Sequence, residues 1–117
     1  MHIEEYRNYC LSKNWVTEEF PFDETTLVFK VGGKMFAFGN VDTFEFVNLK
    51  CDPDRAIELR EIYNGVKPGY YASKKHWNSV YTSSDVPDDL FRELIDNSYE
   101  LVFNSLTKKK QNELQAG

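Results

Sequence analysis

Thr26–Gly39 reads TLVFKVGGKMFAFG, two runs of β-prone residues joined by a glycine pair. Over Thr26–Val31, Leu27, Phe29 and Val31 share one side of an extended chain, with Thr26, Val28 and Lys30 on the other. That is the two-residue period of a strand. Gly32-Gly33 offers two positions that accept positive φ, as a two-residue hairpin turn requires, and Lys34–Gly39 is the return strand. After Asn40-Val41-Asp42 a third strand is predicted over Thr43–Lys50, which makes the three an antiparallel meander.

Upstream, Ile3, Tyr6, Cys10 and Leu11 recur at helical spacing and predict a helix over residues 2–13. Trp15–Glu24 (WVTEEFPFDE) has no period, contains Pro21 and is expected to be a connecting loop with apolar anchors. Downstream, Asp52-Pro53 joins a favoured N-cap to a residue suited to the first helical turn. The helix it opens carries Ala56, Leu59, Ile62 and Tyr63 on one stripe and is stopped by Asn64-Gly65. Tyr70–Ala72 and Lys75–Tyr81 are expected to be two further short strands. A last helix is predicted from near Pro87 to about Thr107, with an inward face that includes Leu94, Ile95, Ser98 and Val102. The tail Lys108–Gly117 is expected to fray.

The order α-β-β-β-α-β-β-α specifies an α+β fold: a two-layer sandwich with an antiparallel sheet and helices packed on one face. The 117 residues make one domain, and 41% hydrophobic with 15% aromatic residues supply a core of adequate size.

The formal net charge of −5 opposes non-specific nucleic-acid binding unless charge is segregated. Residues 1–29 hold two cations against six acids, residues 30–75 eight against six, and residues 76–117 four against seven. The centre is therefore the only candidate for an anion-facing surface. Within it, Val66–Val80 (VKPGYYASKKHWNSV) interleaves Lys67, Lys74, Lys75 and His76 with Tyr70, Tyr71 and Trp77, a pattern suited to phosphate and stacked rings. Lys30 and Lys34 of the hairpin could join them. Trp77 itself is expected in the core, linking the sheet to the last helix.

Other chemistries find less footing. His2 and His76 are the only histidines, and neither has an acid and a nucleophile at matching positions, so no catalytic residue is expected. Cys10 and Cys51 form no CxxC pair and read as core thiols. No cofactor or metal site is assigned. A metal-binding alternative needs Glu4, Glu5, Glu18 and Glu19 to converge. Gly32-Gly33 lies in a hairpin and outside any phosphate-loop motif. The acidic, amphipathic N-terminus is not read as a signal peptide and no segment reaches membrane-spanning length, so a cytoplasmic, membrane-independent monomer is expected.

VTEEFPF (Val16–Phe22), TLVFKVGGKMFA (Thr26–Ala37), VNLKCDP (Val47–Pro53), KPGYYASKKHWNSV (Lys67–Val80) and NSYELV (Asn97–Val102) together resemble the MmcQ/YjbR family of small bacterial proteins. The resemblance implies a frataxin-like (CyaY-like) α+β fold and a double-wing DNA-binding character, in which loops or hairpins flank a helix. It draws attention to Lys74, Lys75, His76, Trp77 and the Gly32-Gly33-Lys34 turn. The resulting expectation is a non-enzymatic DNA-binding protein with Lys34, Lys67, Lys74 and Lys75 on phosphates and Tyr71 and His76 beside them. The alternative is a protein-interaction module that uses Tyr70, Tyr71 and Trp77.

Overall fold

The computed structural model describes residues 1–117. Its elements are α1 (Ile3–Leu11), β1 (Val16–Glu19), β2 (Thr26–Val31), β3 (Lys34–Asn40), β4 (Phe46–Lys50), α2 (Pro53–Ile62), β5 (Val66–Pro68), β6 (Trp77–Tyr81), α3 (Asp88–Ser105) and α4 (Lys108–Ala116). The six strands form one sheet in the order β1-β2-β3-β4-β6-β5, every pairing antiparallel.

The hairpin forms as its residues require. Gly32 and Gly33 both take positive φ, at 60° and 82°, and close the turn between Val31 and its partner Lys34. Farther along, Phe29 pairs with Ala37 but Lys30 pairs with Met35, so Phe36 is an extra residue on β3. This bulge reverses the alternation. Phe36 turns toward the helices, where its ring meets Tyr99 edge-on at 5.4 Å, while Phe38 turns to the other face. Full burial of a ring such as Phe36 stabilises by about 1.5–3 kcal/mol.

The bulge also pulls β3 away from β4. Only Ala37–Leu49 and Phe38–Asn48 remain paired, which leaves the Phe36 carbonyl and the Lys50 N–H without each other. Ser98 of α3 fills the gap: its hydroxyl donates to the Phe36 carbonyl at 2.5 Å and accepts from the Lys50 N–H at 2.8 Å.

Helices cover one face. Tyr6 and Cys10 of α1, Ala56 and Leu59 of α2, and Phe91, Leu94, Ile95 and Val102 of α3 pack against Phe29, Phe36, Val47, Leu49 and Val80. The opposite face carries a small cluster, Val28, Phe38 and Trp77. Trp77 is thus buried as expected, but on the face away from α3. Strand alternation decides this: Trp77 pairs with Lys50, and Ser79 and Tyr81 share its side.

Four local expectations change. Val16–Glu19 is an edge strand on β2, not loop, because pairing to β2 satisfies a segment too short to show a period of its own. The third strand begins at Phe46, after a turn through Val41–Thr43. Tyr70–Ala72 is turn; its expected strand lies earlier, at Val66–Pro68, where Val66 pairs with Val80. Lys108–Ala116 is helical. Thr107 caps it through a bond from the Lys110 N–H, the Gln111 amide donates to the Phe103 and Leu106 carbonyls, and Leu114 packs on the core. Asp52 occupies the N-cap position of α2 as expected, but its carboxylate makes no capping bond.

Cys10 and Cys51 are buried at 0% and 4% exposure. Burial pushes the Cys10 thiol up to about 12 and raises that of Cys51 as well. A thiolate-specific reagent at pH 8 is therefore expected to react with neither in the native protein and with both after unfolding. Fast labelling of either thiol under native conditions contradicts this burial.

Candidate nucleic-acid interface

The strand registers sort the charges along the sheet. At one end lie the Gly32-Gly33 turn, the close of β4 and the start of β6, since Lys50 pairs with Trp77 and the Cys51 N–H donates to the His76 carbonyl at 2.8 Å. Lys34, Lys50, Lys74, Lys75 and His76 belong to this end. Leu106 adjoins Gly32, close enough that a Cβ at Gly32 would meet it at 2.5 Å. That contact brings in the start of α4 with Lys108, Lys109 and Lys110. The other end, where Thr26 pairs with Asn40 and Phe46 with Tyr81, leads into Asp23, Glu24, Asp42, Glu45, Asp85, Asp88 and Asp89. The net charge of −5 thus hides a dipolar molecule. Asp52 and Asp54, exposed at the start of α2, and Glu113, exposed on α4, intrude on the basic end.

The proposed phosphate-facing residues meet only in part. Lys74 and Lys75 are exposed on the loop that links β5 to β6. That loop folds back over the helix-free face: the Tyr70 N–H donates to Ser79 Oγ at 2.9 Å and Ala72 packs on the Val28–Phe38–Trp77 cluster. Lys74 Nζ donates to the Gly69 carbonyl at 3.2 Å and lies 5.8 Å from the Tyr70 ring, a cation–π distance. His76 is exposed and its ring makes no hydrogen bond. Lys34 is at the same end, but its strand lies two places from β6, about 10 Å away at the usual strand spacing. It also shares its side with Val31, toward α4. Lys34 therefore joins Lys108–Lys110 around the end of the sheet and does not stand beside Lys74 and Lys75.

Lys67 does not join the group. It lies on β5, opposite Ser79, and lines a cleft with Asn64, Ser84 and Asp85. Asp85 already takes the local donors: its carboxylate accepts from the Asn64 and Gly65 N–H groups at 2.8 and 2.7 Å. These bonds hold the Asp85 carboxyl below its ordinary value of 3.8, and Lys67 adds to the effect. A folded value below the unfolded one means stability that is present above the ordinary value and lost as pH falls through the depressed one. Stability is expected to decline as pH drops below about 4, and Asp85→Asn should remove the Asp85 share of that decline. An unchanged pH profile in the variant contradicts the linkage.

Sequence reasoning missed two residues. Lys50, directly across from Trp77, is the cation nearest the Lys74–Lys75 loop in register; only the pairing of β4 with β6 reveals it. Arg60 of α2 donates to Asn78 Oδ1 at 2.7 Å and to the Lys74 carbonyl, and so clamps the basic loop to the helix layer. The carboxylates of the metal alternative are dispersed. Glu18 is bound by Arg7 and Glu19 by Lys30, and no group of three or more His, Cys, Asp or Glu is placed to hold an ion.

The aromatics divide by exposure. Trp77 is 9% exposed and Tyr71 88%. Tyr71 holds a left-handed φ of 62° and stands 5.5 Å from the Tyr70 ring. It overhangs a cleft of about 560 Å³ on the helix-free face, lined also by Phe22, Met35, Phe38, Phe46 and Asn48.

Comparison with known proteins agrees with this architecture. The YjbR family model matches residues 11–101. The uncharacterised protein YbdF of Escherichia coli O157:H7 is 39% identical over 84% of this chain and 81% of its own length. YjbR of Escherichia coli strain K12 is 31% identical over 95% of both chains. The crystal structure of Deinococcus radiodurans protein DR2400 superposes with a TM-score of 0.92 at 37% identity, covering 97% of this chain and 88% of that one. A Pseudomonas syringae crystal structure at 20% identity shares the fold with a TM-score of 0.75, over 87% of this chain and 99% of its own. With the family model spanning most of the chain and relatives this similar over nearly their full length, the protein belongs to the YjbR family.

Proposed function

We propose that this protein is a cytoplasmic, non-enzymatic, monomeric DNA-binding protein that grips the phosphate backbone with the basic end of its sheet. The observation that carries the proposal is the segregation of charge: Lys50, Lys74 and Lys75 at one end of the helix-free face, continued around that end by Lys34 and Lys108–Lys110, against acids at the far end. Such a dipole orients an anionic strand and keeps it off the rest of the surface. The β2–β3 turn and the β5–β6 loop stand on either side of the chain leading into α2, and on this reading they serve as the two wings. Asp52 and Asp54 mark the α2 end as repulsive, so the strand runs over the sheet face.

Fluorescence anisotropy with labelled single-stranded and duplex DNA, titrated at rising salt, tests the proposal. Binding that weakens linearly on a log–log plot supports it. No binding of either DNA at low salt ends it. The exposed rings of Phe20, Phe22, Tyr70 and Tyr71 support a second reading, a protein-contact surface without nucleic acid. Trp77, being buried, drops out of that surface.

A further inference from the structure

We propose that the cleft on the helix-free face takes one planar heteroaromatic ring, an unstacked nucleobase, with a carbonyl of the ring on the side-chain amide of Asn48. The inference rests on the DNA reading only for the source of that ring. The cleft holds about 560 Å³, within the roughly 300–1,000 Å³ typical of small-ligand sites.

Asn48 is 1% exposed and lies on the floor of the cleft. Its Oδ1 accepts from Ser79 Oγ at 2.6 Å, and Ser79 Oγ in turn accepts from the Tyr70 N–H at 2.9 Å. With the Tyr70 N–H on the serine oxygen, the serine proton is free to go to Asn48 Oδ1, and in that orientation of the amide Nδ2 faces away from the serine. Nδ2 is left with no protein partner. It is not sealed off either, since the only enclosed side-chain polar atoms lacking a partner are Tyr6 Oη and Asn97 Oδ1. The N–H donors of that amide therefore lie at the floor of a cleft whose other walls are largely apolar. An aliphatic occupant would leave those donors unpaired, whereas a ring carbonyl satisfies one of them.

The walls suit a flat ring. Phe22 and Tyr71 are 67% and 88% exposed, and Phe38 and Phe46 lie beneath them. Aromatic faces stack on any base. Tyr71 keeps its left-handed backbone at the lip of the cleft with a side chain almost wholly in solvent, a strained arrangement of the sort that collects at ligand clamps. Charge orients the occupant. Asp23 is the only charged residue lining the cleft; its Oδ1 accepts from the Thr25 and Thr26 N–H groups and its Oδ2 from the Thr26 hydroxyl. Its charge turns a phosphate away from that side. The opposite side, at Met35 and Tyr71, opens toward Lys50, Lys74 and Lys75. A base on Asn48 thus sends its phosphates onto the cations.

The test is a titration of ¹⁵N-labelled protein followed by NMR, reading the Asn48 side-chain amide. The probes are thymidine 5′-monophosphate, ribose 5-phosphate as a control without a base, oligothymidylate, and the same oligomer with abasic sites. The variants are Tyr71→Gly, which keeps the left-handed φ without strain, and Phe22→Ala. The expected result is a shift of the Asn48 amide with both thymine probes and none with ribose phosphate, and affinity about tenfold weaker in each variant. An abasic oligomer that binds as well as oligothymidylate, with the Asn48 amide unmoved, overturns the base cleft and leaves lysine-mediated DNA binding standing. Nucleotide in the cleft without oligomer binding keeps the cleft, assigns it to free nucleotides and ends the DNA reading. Silence with every probe overturns both.

Discussion

Replacing Lys50, Lys74 and Lys75 together with alanine is expected to weaken binding of oligothymidylate by roughly one to two orders of magnitude at low salt and to flatten its salt dependence. Each lysine on a phosphate of a single strand contributes about 0.7 to the slope of log K against log salt, so three should reduce that slope by about 2. The three are exposed or half-exposed and enter no ion pair, so the fold should survive. Lys67→Ala is the internal control. It lies in the Asp85 cleft, and its loss should change affinity less than about twofold. Equal losses from Lys67→Ala and the triple variant, or an unaltered slope in the triple variant, would refute a localised phosphate track and leave only diffuse attraction.

Ser98→Ala is expected to cost about 2–6 kcal/mol, one of the largest effects available from losing a single oxygen. The hydroxyl joins two backbone groups that the β3 bulge has separated, the Phe36 carbonyl and the Lys50 N–H. Alanine fits the space but leaves both groups without a partner, and each buried orphan costs about 1–3 kcal/mol. Ser98 is itself 0% exposed, so bulk water does not reach the gap without opening it. Urea denaturation should show a lower midpoint with an unchanged slope. A loss below about 0.5 kcal/mol would mean that the bulge heals by direct β3–β4 pairing. The effect should extend to binding, because the same bond sets the end of β4 from which Lys50 projects.

How much of this was legible in the sequence differs by element. Gly32-Gly33 announced a hairpin because positive φ is a property of the residues themselves. The α3 stripe was legible because Leu94, Ile95, Ser98 and Val102 need only helical periodicity to share a face. β1 was not, for four residues with a solvent-facing Thr17 and Glu18 become a strand only by hydrogen bonding to β2. Lys108–Lys110 open a helix against its own dipole, and what holds α4 is Thr107, the Gln111 bonds to the end of α3 and the packing of Leu114. Of the six proposed site residues, Lys74, Lys75, Tyr71 and His76 are on one loop and were bound to lie near one another. Lys34 and Lys67 depend on register, and register sent them elsewhere.

The amino-acid sequence by itself determined the α+β class, the central hairpin and the helix faces, since each follows from residue type and short-range period, and its matching stretches carried the resemblance to the family. The tertiary structure alone decided which face each aromatic serves, because a single extra residue, Phe36, divides Phe36 and Phe38 between opposite sides of the sheet. It also decided where charge accumulates. Lysines far apart in the chain, and acids equally scattered, sort to opposite ends only because antiparallel pairing returns alternate turns to the same end. The unpaired amide of Asn48 likewise emerges only once β4, β6 and the Tyr70–Tyr71 turn have closed around it, since its partners are contacts between distant segments and not properties of the residue.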